Sequence, residues 1–241
     1  MSLFDEVQPP ASNLDEDESF LFIPEHFQYI VIEGVIGVGK TSLSKLLAER
    51  CQARLILEQF EENPFLERFY LDRDRWAFQT QLSFLASRFR QQQSLGGRDL
   101  FHKHVISDYT FDKDRIFARL NLNGDELSLY ETMFGIMQPT TPKPDLIVYL
   151  QASTDRLMDN IHRRGRTYEK SMDRTYIENL GGAYNHYFFH YNQTPLLIVN
   201  SSNIDFVSNP NDFNELIRQI AQLRHPGTTY FNPSPTRTPL L

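Results

Sequence analysis

One cysteine, Cys51, stands in 241 residues, which excludes an internal disulfide framework and a multi-cysteine zinc site and fits a reducing compartment. Long apolar runs are missing too. None approaches the ~20 residues that span a bilayer, and the N-terminus is acidic where a signal peptide would be basic and then apolar. No membrane association is expected, and a cytoplasmic setting is. Positive charge is in deficit, with 24 Lys and Arg against 31 Asp and Glu and a net charge of −7. A general nucleic-acid binder needs a cationic excess to neutralise phosphates, so no nucleic-acid partner is expected and any anion site must be local.

What is present suffices for one core, since 40% of the residues are hydrophobic and the length is short for two domains. Residues 1–25 are acidic with Pro and Ser and read as a flexible tail. Residues 26–224 read as the folded domain, and 225–241, rich in Pro and Thr, as a second tail or an arm over a neighbour. Within the domain, short apolar strands alternate with helices: Tyr29–Glu33, Arg54–Leu57, Val105–Ser107, Leu146–Leu150 and Leu196–Val199. That pattern predicts an α/β fold of three layers, a parallel sheet of about five strands flanked by helices, with ligands at the carboxyl ends of the strands.

The first strand runs into IVIEGVIGVGKTSL, in which Gly34 to Thr41 fits G-x-x-x-x-G-K-[ST]. Such a loop wraps a polyphosphate in backbone N–H groups and opens a helix whose N-terminus faces the anion. The cradle is Gly34, Val35, Ile36, Gly37, Val38, Gly39, Lys40, Thr41 and Ser42, with the helix read from Ser42 onward. Lys40 would reach the outer phosphates and the Thr41 hydroxyl would ligate Mg²⁺. D-x-x-G and N-K-x-D, which a GTPase needs, do not occur, so the loop points to a kinase acting on a small molecule.

The other strand ends carry acids. Glu58 follows the second strand, near where a substrate hydroxyl would meet a γ-phosphate, and reads as the base for that hydroxyl or as a solvated strand-end acid. Asp108 follows the third and reads as a second Mg²⁺ group or as a helix N-cap. In WAFQTQLSFLASRFRQ, Phe78, Leu82, Leu85 and Phe89 form an apolar stripe. Gln81 and Arg88, two turns apart, share a face beside it and either read a base edge or face solvent. Arg163, Arg164 and Arg166 surround Gly165. They read either as a helix C-terminus with a glycine cap or as a mobile lid, near residues 163–170, that closes over a transferring phosphoryl group.

In this order, GVIGVGKT, LEQFEENPF, FYLDRDRWAFQTQLSFLASR, SDYTFDKDRIFA, RRGRTYE and NIDF resemble the deoxyribonucleoside kinase family, with its deoxycytidine, deoxyguanosine and bacterial deoxyadenosine kinases. The match covers roughly Tyr29 to Phe206. The resemblance implies that Glu58 is the base for the nucleoside 5′-hydroxyl and that Tyr70 and Glu169 hold the 3′-hydroxyl. Gln81 would grip the base, the Arg88–Asp114 pair would read its edge, and Phe117 would stack on it. Arg164 and Arg166 would contact the donor phosphates, and Asp205 and Phe206 would surround the donor adenine. It also implies a P-loop kinase fold and a homodimer.

One departure stands out. Where the family has an acid, then Arg, then Ser or Thr, this chain has Asp108, Tyr109 and Thr110, and a neutral tyrosine cannot replace the arginine's charge. Either Lys113 or Arg115 compensates, or the lid supplies more.

The expectation is therefore an ATP- and Mg²⁺-dependent phosphotransferase acting on the 5′-hydroxyl of a deoxyribonucleoside, deoxyadenosine or deoxyguanosine first, with Glu58, Lys40, Arg164 and Arg166 as its catalytic groups. A nucleoside monophosphate kinase of the thymidylate kinase type is the alternative enzyme. It needs cations for the acceptor's own phosphate, and the acidic run after Glu58 opposes that. A nucleotide-binding switch without turnover is the alternative of another class.

Overall fold

The computed structural model describes residues 22–96, 101–169, 172–223 and 227–233. Residues 1–21 of the expected N-terminal tail (1–25) and 225, 226 and 234–241 of the expected C-terminal tail (225–241) lie outside these residues, as does Lys170 at the end of the expected lid.

Parallel strands buried on both faces read as unbroken apolar runs, and β1 (Tyr29–Gly34) and β4 (Leu146–Gln151) are nearly so, broken only by Glu33 in β1 and by Gln151 at the end of β4. With β2 (Arg54–Ile56), β3 (Val105–Ser107), β5 (Leu196–Asn200) and β6 (Thr228–Phe231), they form a six-stranded sheet in the order β2-β3-β1-β4-β5-β6. Every pairing is parallel, Ile30 standing opposite Ile106 on one side and Leu146 on the other. The core lies on the central strands, where Ile30, Ile32, Leu146, Val148 and Leu197 are sealed from solvent.

Helices flank the sheet as a P-loop kinase fold requires. They are α1 (Lys40–Cys51), α2 (Leu66–Leu71), α3 (Arg73–Gln93), α4 (Lys113–Asn121), α5 (Gly124–Met137), α6 (Thr154–Arg164), α7 (Arg174–Phe189) and α8 (Pro210–Ala221). Several boundaries follow from side-chain caps. Asp72 accepts from the Arg75 N–H at the start of α3, Ser153 from Arg156 at α6, and Asp173 from Thr175 at α7. Among the described residues no helix is long and apolar enough to cross a membrane.

The sheet differs from the sequence reading in its sixth strand. Thr228–Phe231 falls in the expected tail, yet it pairs with β5 from Leu196↔Thr228 to Val199↔Phe231. The Pro-rich flanks conceal a short β-branched and aromatic run that the open edge of β5 can pair. Ile23 and Phe27 are likewise buried in the core, so the packed chain begins before residue 26. Helix α1 starts at Lys40 rather than Ser42, because Gly39 with φ 102° leaves the loop directly into the helical turn. Strand β2 ends at Ile56, one residue short of the expected Leu57.

Candidate active site

The carboxyl ends of β1, β2 and β3 meet at one edge of the sheet, each delivering one part of the site. After β1 the chain turns tightly, which only glycine permits at two positions. A Cβ on Gly34 (φ +148°) would sit 2.6 Å from the Leu150 carbonyl oxygen, and one on Gly37 (φ +88°) 2.7 Å from that of Leu157. The loop is further held from α6, where Asn160 Nδ2 donates to the Gly37 carbonyl at 2.8 Å. Lys40 folds back over the loop, its Nζ donating to the carbonyls of Gly34 (2.7 Å) and Val35 (3.1 Å). Burial and the neighbouring Lys113 charge push the Lys40 ammonium down to about 8.

The loop divides two adjoining cavities. One is lined by Gly37 to Leu43, Arg156, Asn160, Arg164, Arg166, Asp205 and Phe206. The other is lined by Ile36, Glu58, Tyr70, Gln81, Arg88, Phe117 and Glu169 among others. Gly37, Lys40, Thr41, Arg164 and Arg166 line both. The predicted cradle is thus divided: Gly34 and Val35 turn carbonyls to Lys40 instead of facing the phosphate cavity, and Ile36 lines the second cavity. Asp205 borders the first cavity, but its carboxylate is turned onto its own loop, accepting from the Val207 and Ser208 N–H groups at 3.0 Å each.

Asp108 is no helix cap. Its Oδ2 accepts from the Thr41 hydroxyl at 2.6 Å and its Oδ1 from the Glu58 N–H at 2.8 Å, so it fastens the tip of β2 to the phosphate loop. A hydroxyl and a carboxylate side by side are hard oxygen ligands of the kind Mg²⁺ takes when phosphates and water complete its shell. Among the described residues no cluster of three or more His, Cys, Asp or Glu side chains suits a metal.

Glu58 is partly buried between two cations. Arg88 donates to Oε1, through Nε at 2.9 Å and also through Nη2, while Lys113 donates to Oε2. Burial alone would push this carboxyl up, but Lys113 and Arg88 override it and hold it below the usual carboxylate range. Arg115 reaches elsewhere, its Nε lying 2.8 Å from Glu131. Of the two cations proposed to replace the missing arginine, therefore, only Lys113 arrives. Tyr109, at the position of the departure, is buried and donates to Gln91 Oε1 at 2.5 Å, and Gln91 in turn donates to the Leu57 carbonyl at 2.8 Å. It braces the peptide that carries Glu58.

Gln81 and Arg88 do not face solvent, being 1% and 4% exposed. Arg88 bridges Glu58 to Asp114, whose other oxygen accepts from the Tyr130 hydroxyl at 2.6 Å. At the far wall, Arg164 forks onto Glu169, Nη2 to Oε1 at 2.6 Å and Nε to Oε2 at 3.1 Å. Arg166 lies over the Phe60 ring at 4.1 Å. The helix-end reading of this segment is seen directly: Gly165, with φ 66°, caps α6, and Arg164 and Arg166 on either side of it line both cavities.

Glu33 was missed altogether. Its carboxylate is buried behind the phosphate loop, accepting from the N–H groups of Gly34 (3.1 Å) and Thr110 (2.7 Å), and burial pushes it up despite Lys113 and Lys40 nearby. An acid inside an apolar strand run was the signal available for it.

The family model for deoxynucleoside kinases matches residues 30–225. Two proteins of Bacillus subtilis (strain 168) are similar over most of their length. A deoxyadenosine/deoxycytidine kinase is 31% identical over 208 residues, covering 81% of this chain and 93% of that protein. A deoxyguanosine kinase is 33% identical over 202 residues, covering 81% and 97%. Among solved structures, M. mycoides deoxyadenosine kinase with bound dATP superimposes with a TM-score of 0.69 at 24% identity, covering 78% of this chain and 98% of that one, a likeness of fold. The phosphate loop, the strand-tip acids and the matched span agree, and the chain belongs to the deoxynucleoside kinase family.

Proposed function

We propose that this chain transfers the γ-phosphoryl group of ATP to the 5′-hydroxyl of a purine deoxyribonucleoside, deoxyadenosine or deoxyguanosine first. As a member of its family it is a phosphotransferase for deoxynucleosides; the donor's identity, the base and the residue roles are the proposal. The observation that carries it is the junction of the two cavities, where Glu58 stands at the acceptor side of a phosphate loop and five residues face both sides.

The acceptor's 5′-hydroxyl meets Glu58, which is ionised because Lys113 and Arg88 favour the charged form, and so is ready to take the proton. Lys113, which stands where it can approach the same oxygen, offsets charge that builds there. Lys40 and the arginines Arg164 and Arg166 stabilise the oxygens of the transferring group, a task of electrostatics and position more than of covalent chemistry. Thr41 and Asp108 would hold Mg²⁺, which neutralises phosphate charge when bound. Tyr70, its phenol kept protonated by burial and by nearby Tyr176 and Glu169, and Glu169 hold the sugar. Gln81, the Arg88–Asp114 pair and Phe117 hold the base, and Asp205 and Phe206 border the donor adenine. The homodimer implied by the resemblance and a cytoplasmic setting belong to the same proposal.

Relatives named for deoxyadenosine, deoxycytidine and deoxyguanosine support a deoxynucleoside acceptor. The charge of the second cavity supports it against a nucleoside monophosphate, because Arg88 and Lys113 are already engaged by carboxylates. Labelled ATP with deoxyadenosine, deoxyguanosine, deoxycytidine and dAMP in parallel tests the reading. Transfer to a nucleoside is the expected result, and transfer to dAMP alone would overturn it. Sedimentation velocity tests the dimer.

A further inference from the structure

We propose that the Thr80 hydroxyl is a second specificity-determining group for the nucleoside base, acting beside Gln81 to select bases that carry an amino group, next to an acceptor ring nitrogen, where guanine carries its carbonyl. The proposal rests on the acceptor reading above and narrows it, favouring deoxyadenosine over deoxyguanosine.

Buried polar groups in native proteins are almost always paired, so an orphan needs an explanation. Among the described residues, five buried side-chain atoms lack a hydrogen-bond partner, and three of them, Thr80 Oγ1, Gln81 Oε1 and Tyr168 OH, belong to residues that line the acceptor cavity. That concentration is what a site leaves when its occupant supplies the missing partners. Thr80 is 1% exposed, like Gln81, so open solvent does not reach it.

The position of Thr80 is also fixed. Its carbonyl accepts from Asn63 Nδ2 at 3.0 Å, while Asn63 Oδ1 accepts from the Phe65 N–H at 3.0 Å. Asn63 thereby ties this turn of α3 to the segment that follows Glu58. A base held here is placed relative to the acid that takes the 5′ proton, which is what productive binding requires.

The chemistry of the pair is directional. An amide oxygen accepts only, and a threonine hydroxyl can donate. Together they fit an edge in which an exocyclic amino group donates to Gln81 Oε1 and an adjacent ring nitrogen accepts from Thr80. Adenine and cytosine have that edge. At the edge where adenine carries its amino group, guanine presents O6 and N7, both acceptors, so guanine held in the adenine orientation leaves the amide oxygen unpaired, and a site built to hydrogen-bond a group rejects analogues lacking it.

The test compares wild type, Thr80→Val and Thr80→Ser on deoxyadenosine, deoxycytidine and deoxyguanosine at saturating MgATP, with the KM for ATP and the ligand-free melting temperature as further readouts. We expect Thr80→Val to lose about tenfold in kcat/KM on the amino-bearing bases. It should lose less on deoxyguanosine, keep its KM for ATP, and melt no lower than wild type, since it sheds an unpaired hydroxyl. Thr80→Ser should stay within about threefold. Unchanged kcat/KM in Thr80→Val overturns the proposal, and so does an equal fall in Thr80→Ser, which would assign the effect to methyl packing. Should Thr80→Val not fold, 1-deaza- and 7-deaza-2′-deoxyadenosine on the wild-type chain decide. Loss of about tenfold with one of them is expected, and full activity with both overturns the proposal. A wild-type chain that phosphorylates no nucleoside refutes the acceptor reading instead, and calorimetric binding of deoxyadenosine to wild type and Thr80→Val then judges Thr80 on its own.

Discussion

Lys113 Nζ donates to Glu58 Oε2, the carboxylate oxygen that Arg88 leaves free. The two residues are 55 positions apart, one on the first turn of α4 and one past the tip of β2. The contact gives Glu58 a second cation in a chain whose residue 109 is a neutral tyrosine turned toward Gln91. Lys113→Ala should therefore lower kcat by about 10²-fold, in the range for deleting one charge-stabilising donor, while Arg115→Ala, whose side chain serves Glu131, should remain close to wild type. Steady-state rates of the two variants decide it, and equal rates for both would return the compensating role to the lid.

Replacing the base itself should cost more. Glu58→Gln keeps the shape and removes the proton acceptor, and we expect kcat to fall about 10³-fold, ~4 kcal/mol of transition-state stabilisation. Pre-steady-state measurement of the phosphoryl transfer step should show the whole loss there. Turnover near that of wild type would take Glu58 out of the reaction.

The two shifted groups predict an asymmetric pH profile. Glu58 is held below the usual carboxylate range by Lys113 and Arg88 against the opposing effect of burial, so kcat/KM should show no acidic limb from it between about pH 5 and about pH 7. Lys40, lowered to about 8, loses its proton as pH rises through that value in the ligand-free chain. A bound triphosphate favours the ammonium and raises the group again, so binding at about pH 8.5 should take up a proton. Calorimetry of a non-hydrolysable ATP analogue in buffers of different ionisation enthalpy measures that uptake, and affinity should weaken above about pH 8.

Arg164 and Glu169 link the two halves of the site. If donor phosphates draw Arg164 away, Glu169, 4% exposed, is left without its bidentate partner unless a sugar hydroxyl donates to it. Donor and acceptor should therefore bind with positive coupling, the analogue gaining about fivefold or more in affinity when deoxynucleoside is present. In Glu169→Gln, where no buried charge is stranded, the enhancement should vanish.

The phosphate loop offers a contrast in steric tolerance. Gly37→Ala drives a methyl against the Leu157 carbonyl and the Ile161 side chain, whereas Gly39→Ala meets nothing within 4 Å and bears only its positive φ. The first should destabilise the ligand-free chain by about 2–4 kcal/mol and the second by about 1–2 kcal/mol, as read from urea denaturation.

The parts legible in the sequence were those written in short spacing: the glycine loop, the five apolar runs that became β1 to β5, and the acids at two strand tips. Gln81 and Arg88 were legible through helical periodicity on α3. What escaped depends on long-range packing. Nothing local distinguishes Lys113 from Arg115, two residues along the same helix, until α4 is docked and one of them faces Glu58. Glu33 looked like one more strand residue because its partners, Thr110 and Tyr184, lie far along the chain. Thr228–Phe231 was hidden by composition, since the prolines beside it suggested a tail, and Thr80 had no signature beyond its neighbour.

That last strand governs how the protein tolerates shortening. The backbone of β5 is satisfied on its outer side by Leu196↔Thr228 through Val199↔Phe231. A chain cut after Leu223 would bare a row of amide and carbonyl groups along a flat, apolar strand, the kind of margin that recruits a second molecule edge to edge. Trimming the C-terminal region for expression would thus exchange a well-behaved enzyme for one inclined to self-associate through its sheet, with the catalytic loops at the other side of that sheet untouched.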